Sequence, residues 1–126
     1  PNEVDGTAVI PRLRMDGRAV FRFATEILPA CTQKVLERAG LDIAQVDRFV
    51  FHQANQRIVD LAVKKLGADP GRCGGNIART GNTSAASVAI LLDELCRTGA
   101  LASGERALCV GFGAGLTWAG ALLERA

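Results

Sequence analysis

The sequence contains no tyrosine, a single tryptophan, a single methionine and a single histidine in 126 residues, and its other aromatics are five phenylalanines. So sparse an aromatic content argues against a sandwich of aromatic-rich strands. One imidazole, with no C-x-x-C pair, argues against a zinc site, and no metal is expected. Cys31, Cys73, Cys96 and Cys109 are widely separated and read as reduced, buried, small apolar residues. No run reaches the roughly 18 to 20 uncharged apolar residues of a membrane-spanning helix. Asp93 and Glu94, for example, close the run of Ile90-Leu91-Leu92. No basic segment followed by an apolar one opens the chain, so no signal peptide is read and a cytoplasmic location is expected. The 15 Lys and Arg against 13 Asp and Glu leave a net charge of +2, scattered from Arg12 to Arg125 without a block. Neither nucleic acid nor a membrane is therefore an expected partner.

What the chain does have is Ala, Val, Leu and Ile in quantity, with 14 glycines, within a composition that is 48% hydrophobic and 22% charged. That is the material of close helix-on-sheet packing and favours an α/β fold. A chain of this length buries roughly two thirds of its unfolded surface, enough for one core without staples. An opening at Pro1 and the shortage of aromatics suggest one piece of a larger unit.

Ala24, Ile27, Leu28, Cys31, Val35, Leu36 and Ala39 recur at helical steps, predicting a helix from Ala24 that stops at Gly40. Pro29 either bends it or delays its regular part to about Leu28. Arg48 to His52 reads as a strand, and Asn55 to Leu66 as an amphipathic helix ending at Gly67. Cys73 to Ala78 is a strand candidate diluted by Gly74 and Gly75. Gly81 to Ser87 is a small-residue loop feeding a helix that reaches Gly99, with Thr83 or Ser84 as its cap. Arg106 to Phe112 and Leu116 to Leu123 read as strands joined antiparallel through Gly113-Ala114-Gly115. Residues 1–18 read as an arm or loop and 19–126 as the core. Together these elements predict a mixed, mostly parallel sheet with helices on both faces.

Three loops then leave the carboxyl ends of strands, the edge where open α/β sheets bind ligands: His52 to Asn55, Gly81 to Asn82, and Phe112 to Gly115. They offer an imidazole, a carboxamide and a glycine-flanked turn, a set able to hold developing negative charge. Each has an ordinary alternative. A histidine can simply end a strand, an asparagine before Thr-Ser can cap a helix, and Gly-Ala-Gly can turn a hairpin.

His52-Gln53-Ala54-Asn55, then Gly81-Asn82-Thr83-Ser84-Ala85-Ala86-Ser87, then Gly111-Phe112-Gly113-Ala114-Gly115-Leu116-Thr117-Trp118, in that order, resemble the C-terminal half of the β-ketoacyl-acyl-carrier-protein synthase III family. The likeness runs from about Leu13 to Leu123, and Met15 to Phe21 resembles the stretch that nears that family's substrate channel. The resemblance implies the thiolase fold, two similar α/β halves of which this chain is one. It implies that His52 and Asn82 donate hydrogen bonds to the enolate left when malonyl-acyl-carrier protein loses carbon dioxide, with His52 neutral. Asn82 stands where elongating relatives carry a second histidine, which favours an initiating enzyme primed by acyl-CoA. The turn resembles the family's glycine-rich loop, whose backbone N–H serves an oxyanion hole. Ala114 occupies the middle of what is often three successive glycines, and its N–H serves equally unless the turn needs positive φ there.

By the same resemblance Gly17, Phe21, Ala54 and Asn55 line a pantetheine channel, although Phe21 also reads as a core residue. Arg57, Lys64 and Lys65 resemble a basic face for an acidic carrier protein, and otherwise read as solvated charges. None of the four cysteines has the setting of a reactive thiolate. The implied partners are an N-terminal half bearing a nucleophilic cysteine, acyl-carrier protein, coenzyme A thioesters and a second copy of the complete enzyme. Acyl-CoA and malonyl-acyl-carrier protein are the implied substrates, with no cofactor. Two alternatives stay open: a starter-unit or polyketide-type synthase using the same pair, and a non-catalytic carrier-protein or CoA-binding module.

Overall fold

The structure, a computed structural model, describes residues 15–126 together with two short strands, β1 (Glu3–Val4) and β2 (Thr7–Ala8), which pair antiparallel. The remainder of the expected arm up to Arg14 lies outside the described residues, while Gly17 and Arg18 already belong to the first helix.

That helix, α1 (Gly17–Ala39), begins at Gly17 rather than Ala24. The reason is Asp16, whose carboxylate accepts from the backbone N–H of Arg18 and of Ala19 at 3.0 Å each. Two of the donors orphaned at a helix start are thereby satisfied. Pro29 lies inside α1, and the helix runs through it unbroken. Because proline has no N–H, the carbonyl of Thr25, four residues earlier, loses its helical partner.

Strand β3 (Arg48–Phe51) leads to α2 (Gln56–Leu66), which buries Ile58, Val59, Ala62 and Val63 along one face. A single turn, α3 (Ile77–Thr80), precedes α4 (Ala86–Arg97), and the hairpin of β4 (Arg106–Gly113) and β5 (Thr117–Glu124) closes the chain. The sheet order is β3-β4-β5, with β4 parallel to β3 and antiparallel to β5. The sheet is mixed, as expected, with one pairing of each kind rather than a parallel majority.

The difference lies in Cys73 to Ala78, which forms no strand. Cys73 makes one isolated bridge to Phe49, and Gly74 donates to the Phe49 carbonyl at 3.3 Å before the chain turns away. The next backbone donor that a strand would use, the N–H of Asn76, goes to the Gln53 side chain at 3.2 Å instead. Gly74 is also pressed beneath α4, where an added Cβ would stand 3.3 Å from Leu91 Cδ1 and Leu95 Cδ1.

Alternation along β3 and β4 divides the core between two faces. Phe49, Phe51, Leu108 and Val110 pack with Leu28, Leu36, Ile58 and Val63 of α1 and α2. Val50, Ala107 and Cys109 pack with Leu91 and Leu95 of α4. Helices thus cover both faces, and each fully buried Phe or Leu contributes roughly 1.5–3 kcal/mol of transfer free energy. At β5 the approach of α1 leaves no room for a side chain: a Cβ on Gly120 would lie 2.8 Å from Cys31 Sγ and from Val35 Cγ2. No helix among the described residues is long and apolar enough to cross a membrane.

Candidate active site

Because β3 and β4 run parallel, His52 and Gly113 leave the sheet at the same end. The His52 N–H donates to the Val110 carbonyl at 2.9 Å, which seats the residue directly beyond Phe51. Its half-buried ring meets Phe112 edge to face, with centroids 5.1 Å apart and planes at 74°. On its other side, Nδ1 lies 2.5 Å from Ser87 Oγ, in the first turn of α4. Burial pushes the His52 pKa below the ordinary imidazole value, favouring the neutral ring.

The loop that carries Asn82 runs straight into Ser87, so this one contact ties the imidazole to the carboxamide's segment. Asn82 is exposed, and its Oδ1 accepts from the Ser84 N–H at 2.9 Å, an Asx turn. That use occupies the acceptor and leaves both N–H donors of the amide NH₂ uncommitted among the described residues. Neither Thr83 nor Ser84 caps α4 with its side chain. Ala85 occupies the cap position, and the carbonyls of Thr83 and Ser84 take the N–H groups of Ala86 and Ser87. Ser84 adopts φ 52°, a left-handed conformation that non-glycine residues seldom take and that concentrates at functional loops.

The third loop joins β4 to β5, with Thr117 Oγ1 donating to the Ala114 carbonyl at 3.2 Å. Ser84 is the one non-glycine residue with positive φ among those described, so Ala114 needs no glycine conformation. Phe112 also meets Phe23 of α1 at 6.2 Å, and Phe23 meets Trp118 at 5.7 Å. His52, Ser87 and Phe112 therefore link the three loops at one end of the sheet.

The remaining expected residues spread outward from that end. Gly17 and Phe21 border a shallow surface depression together with Arg18 and Arg22, and Phe21 also packs on the core. Ala54 is half-buried against the same core, and its N–H donates to the His52 carbonyl at 3.0 Å. Asn55 caps α2, its Oδ1 accepting from the Arg57 N–H at 2.9 Å. Arg57 and Lys64 are exposed on α2 with Leu61 between them, one stripe at helical spacing. Lys65 differs, because its ammonium donates to the Thr25 carbonyl at 3.0 Å.

All four cysteines are unpaired, Cys31 and Cys109 buried as expected, Cys73 and Cys96 only half-buried. Burial raises the Cys31 thiol and pushes Cys109 up to about 11. Burial together with the Asp69 carboxylate pushes Cys73 up to about 12. Thiols held this high are protonated near neutrality and are poor nucleophiles.

Residues 36–125 match the family described as 3-oxoacyl-[acyl-carrier-protein (ACP)] synthase III C terminal. The chain belongs to this family. A β-ketoacyl-[acyl-carrier-protein] synthase III of Desulfitobacterium hafniense (strain DSM 10664 / DCB-2) is 48% identical over 112 residues, 89% of this chain and 34% of that protein. The crystal structure of a β-ketoacyl-[acyl-carrier-protein] synthase III from Thermus thermophilus superposes with a TM-score of 0.90 at 44% identity, covering 100% of this chain and 39% of that one. A priming β-ketosynthase from the R1128 polyketide biosynthetic pathway gives a TM-score of 0.80 at 47% identity, covering 89% and 34%. The chain spans about a third of the length of the curated relatives it matches.

Within this synthase III C-terminal chain, a polar frame not expected from the sequence lies beneath His52. Gln53 is 0% exposed, donates through Nε2 to the Phe51 carbonyl at 2.9 Å, accepts from Asn76 through Oε1, and gives its own N–H to Ser87 Oγ at 3.3 Å. Asn76, also buried, donates through Nδ2 to Glu94 at 3.2 Å. One signal was available: Ser87 lies four and eight residues before Leu91 and Leu95, on the apolar stripe of α4. A serine among buried leucines needs a partner.

Proposed function

We propose that this chain is the C-terminal catalytic half of a β-ketoacyl-acyl-carrier-protein synthase III, acting in the cytoplasm in the initiation of fatty-acid synthesis. The observation that carries this reading is a half-buried imidazole at the carboxyl end of the parallel pair, set between Ser87 and Phe112, with burial favouring its neutral form. In the proposed reaction the C–C bond to the malonyl carboxylate breaks, carbon dioxide leaves, and the electron pair remains as an enolate. The His52 and Asn82 N–H groups stabilise its oxygen. The enolate carbon then attacks an acyl thioester carried by a cysteine of an N-terminal half, with the oxyanion held partly by the turn at Ala114, and the cysteine leaves as a thiolate. Such preorganised donors are each worth about 10²–10³ in rate. Gly17, Phe21, Ala54 and Asn55 would line the path of the thiol arm. Arg57 and Lys64, with the partly engaged Lys65, would meet the acidic carrier, and the complete enzyme would form a homodimer. The chemistry requires no metal or organic cofactor.

The likeness to the R1128 priming ketosynthase favours a second reading, a starter-unit enzyme with the same pair and another acyl donor. The test is malonyl-carrier-protein decarboxylation and condensation by the complete enzyme, with a panel of acyl-CoA donors. His52→Ala and Asn82→Ala are each expected to lower decarboxylation about 10²–10³-fold while acyl transfer to the cysteine survives. The preferred donor separates the two readings. Indifference of decarboxylation to both substitutions would overturn both and leave a non-catalytic carrier-protein or CoA-binding module.

A further inference from the structure

We infer that Ser87 is a positioning residue that sets His52 in its Nε2–H tautomer, so that the ring presents a proton rather than a lone pair at the nitrogen away from α4. One buried proton decides the tautomer. A serine hydroxyl has one proton and two lone pairs. The Gln53 N–H occupies one lone pair at 3.3 Å, and Gln53 is itself locked by its bonds to Phe51 and Asn76. Ser87 is 1% exposed, out of reach of bulk water. A serine in a helix commonly gives its proton to a carbonyl three or four residues back. Here the Thr83 and Ser84 carbonyls take the backbone N–H groups of Ala86 and Ser87 at 3.2 Å each, and no carbonyl among the described residues accepts from Ser87 Oγ. His52 Nδ1, at 2.5 Å, is the acceptor that remains.

A neutral imidazole that accepts at Nδ1 carries its proton on Nε2. An imidazolium would turn a second proton toward the hydroxyl and force the serine proton into a space with no acceptor. The contact therefore works in the same direction as burial, toward the neutral ring. The T-shaped contact with Phe112 opposes the rotation that would exchange the two nitrogens. The importance of this tautomer for decarboxylation rests on the function proposed above, because only Nε2–H can donate to an enolate oxygen. The tautomer itself rests on this geometry alone.

The experiment is a two-bond ¹H–¹⁵N correlation on protein labelled with ¹⁵N-histidine, with the His52 signals assigned by their loss in His52→Gln. The expected result in the unsubstituted protein is a protonated Nε2 and an unprotonated Nδ1. In Ser87→Ala the signals should shift toward a mixture of tautomers, and decarboxylation kcat should fall about tenfold with KM little changed, the scale on which losing the group that orients a functional imidazole acts. A proton on Nδ1 in the unsubstituted protein overturns the inference, and that measurement stands even where Ser87→Ala folds poorly. An unchanged tautomer in folded Ser87→Ala also overturns it. Should His52→Ala retain full decarboxylation while the tautomer still responds to Ser87, the proposed function fails and the positioning role stands.

Discussion

Lys65 of α2 donates its ammonium to the carbonyl of Thr25 in α1, the one carbonyl that Pro29 leaves without a helical donor. A proline inside a helix ordinarily kinks or breaks it. Here a cation from the neighbouring helix takes the place of the missing N–H, and α1 continues to Ala39. The same bond ties α1 to α2, the pair that walls one face of the sheet.

This relationship predicts a coupling. Lys65→Met should lower unfolding free energy by about 1 kcal/mol through the orphaned carbonyl. In a Pro29→Ala background, where residue 29 donates to Thr25 itself, the same substitution should have little effect. Urea denaturation of the two single variants and the double variant measures this. Equal losses in both backgrounds would show that Lys65 acts through something other than the proline.

Gln53→Leu preserves bulk while removing the side chain's donor and acceptor. It strands the Phe51 carbonyl and the Asn76 N–H in the interior, at an expected loss of about 2–4 kcal/mol. Chemical denaturation reads the loss directly. A loss under about 0.5 kcal/mol would mean that water or a neighbour rescues both groups.

The pH dependence has a definite sign. Burial lowers the His52 pKa in the folded chain from the ordinary 6.5, so the unfolded chain takes up its proton at a higher pH than the folded chain. The neutral ring's contribution to stability is complete above about pH 6.5. It is lost as pH falls from there toward the folded value, and levels off below it. The stability difference between unsubstituted protein and His52→Gln should therefore narrow as urea titrations move from about pH 7.5 to about pH 5.5. A constant difference would mean that the imidazole titrates alike in both states.

Helix α2 and the strands β3, β4 and β5 were legible because their apolar spacing and the structure obey one periodicity, with Asn55 and Gly67 marking the ends of α2. The start of α1 was misplaced because its decisive residue is polar: Asp16 caps a turn whose apolar content alone looked like an arm. The false strand at Cys73 to Ala78 had plausible content, but its fate was decided by Gln53, distant in sequence and holding the Asn76 N–H. The positions of His52 and Asn82 after strand and loop were readable from the chain. Their supports were not, because Ser87 and Gln53 gain meaning only when α4 lies against the end of β3.

Gly120 works as a keyway. In the observed register it stands opposite Val110, and a slide of two residues would bring Trp118 or Leu122 to the spot where even a methyl group meets Cys31 and Val35. The alignment of β5 is thus indexed by α1. The index is transmitted along β4 to Phe112, opposite Trp118, and from Phe112 to the imidazole. A glycine in the closing strand thereby helps fix where Phe112 stands beside the chain's one histidine.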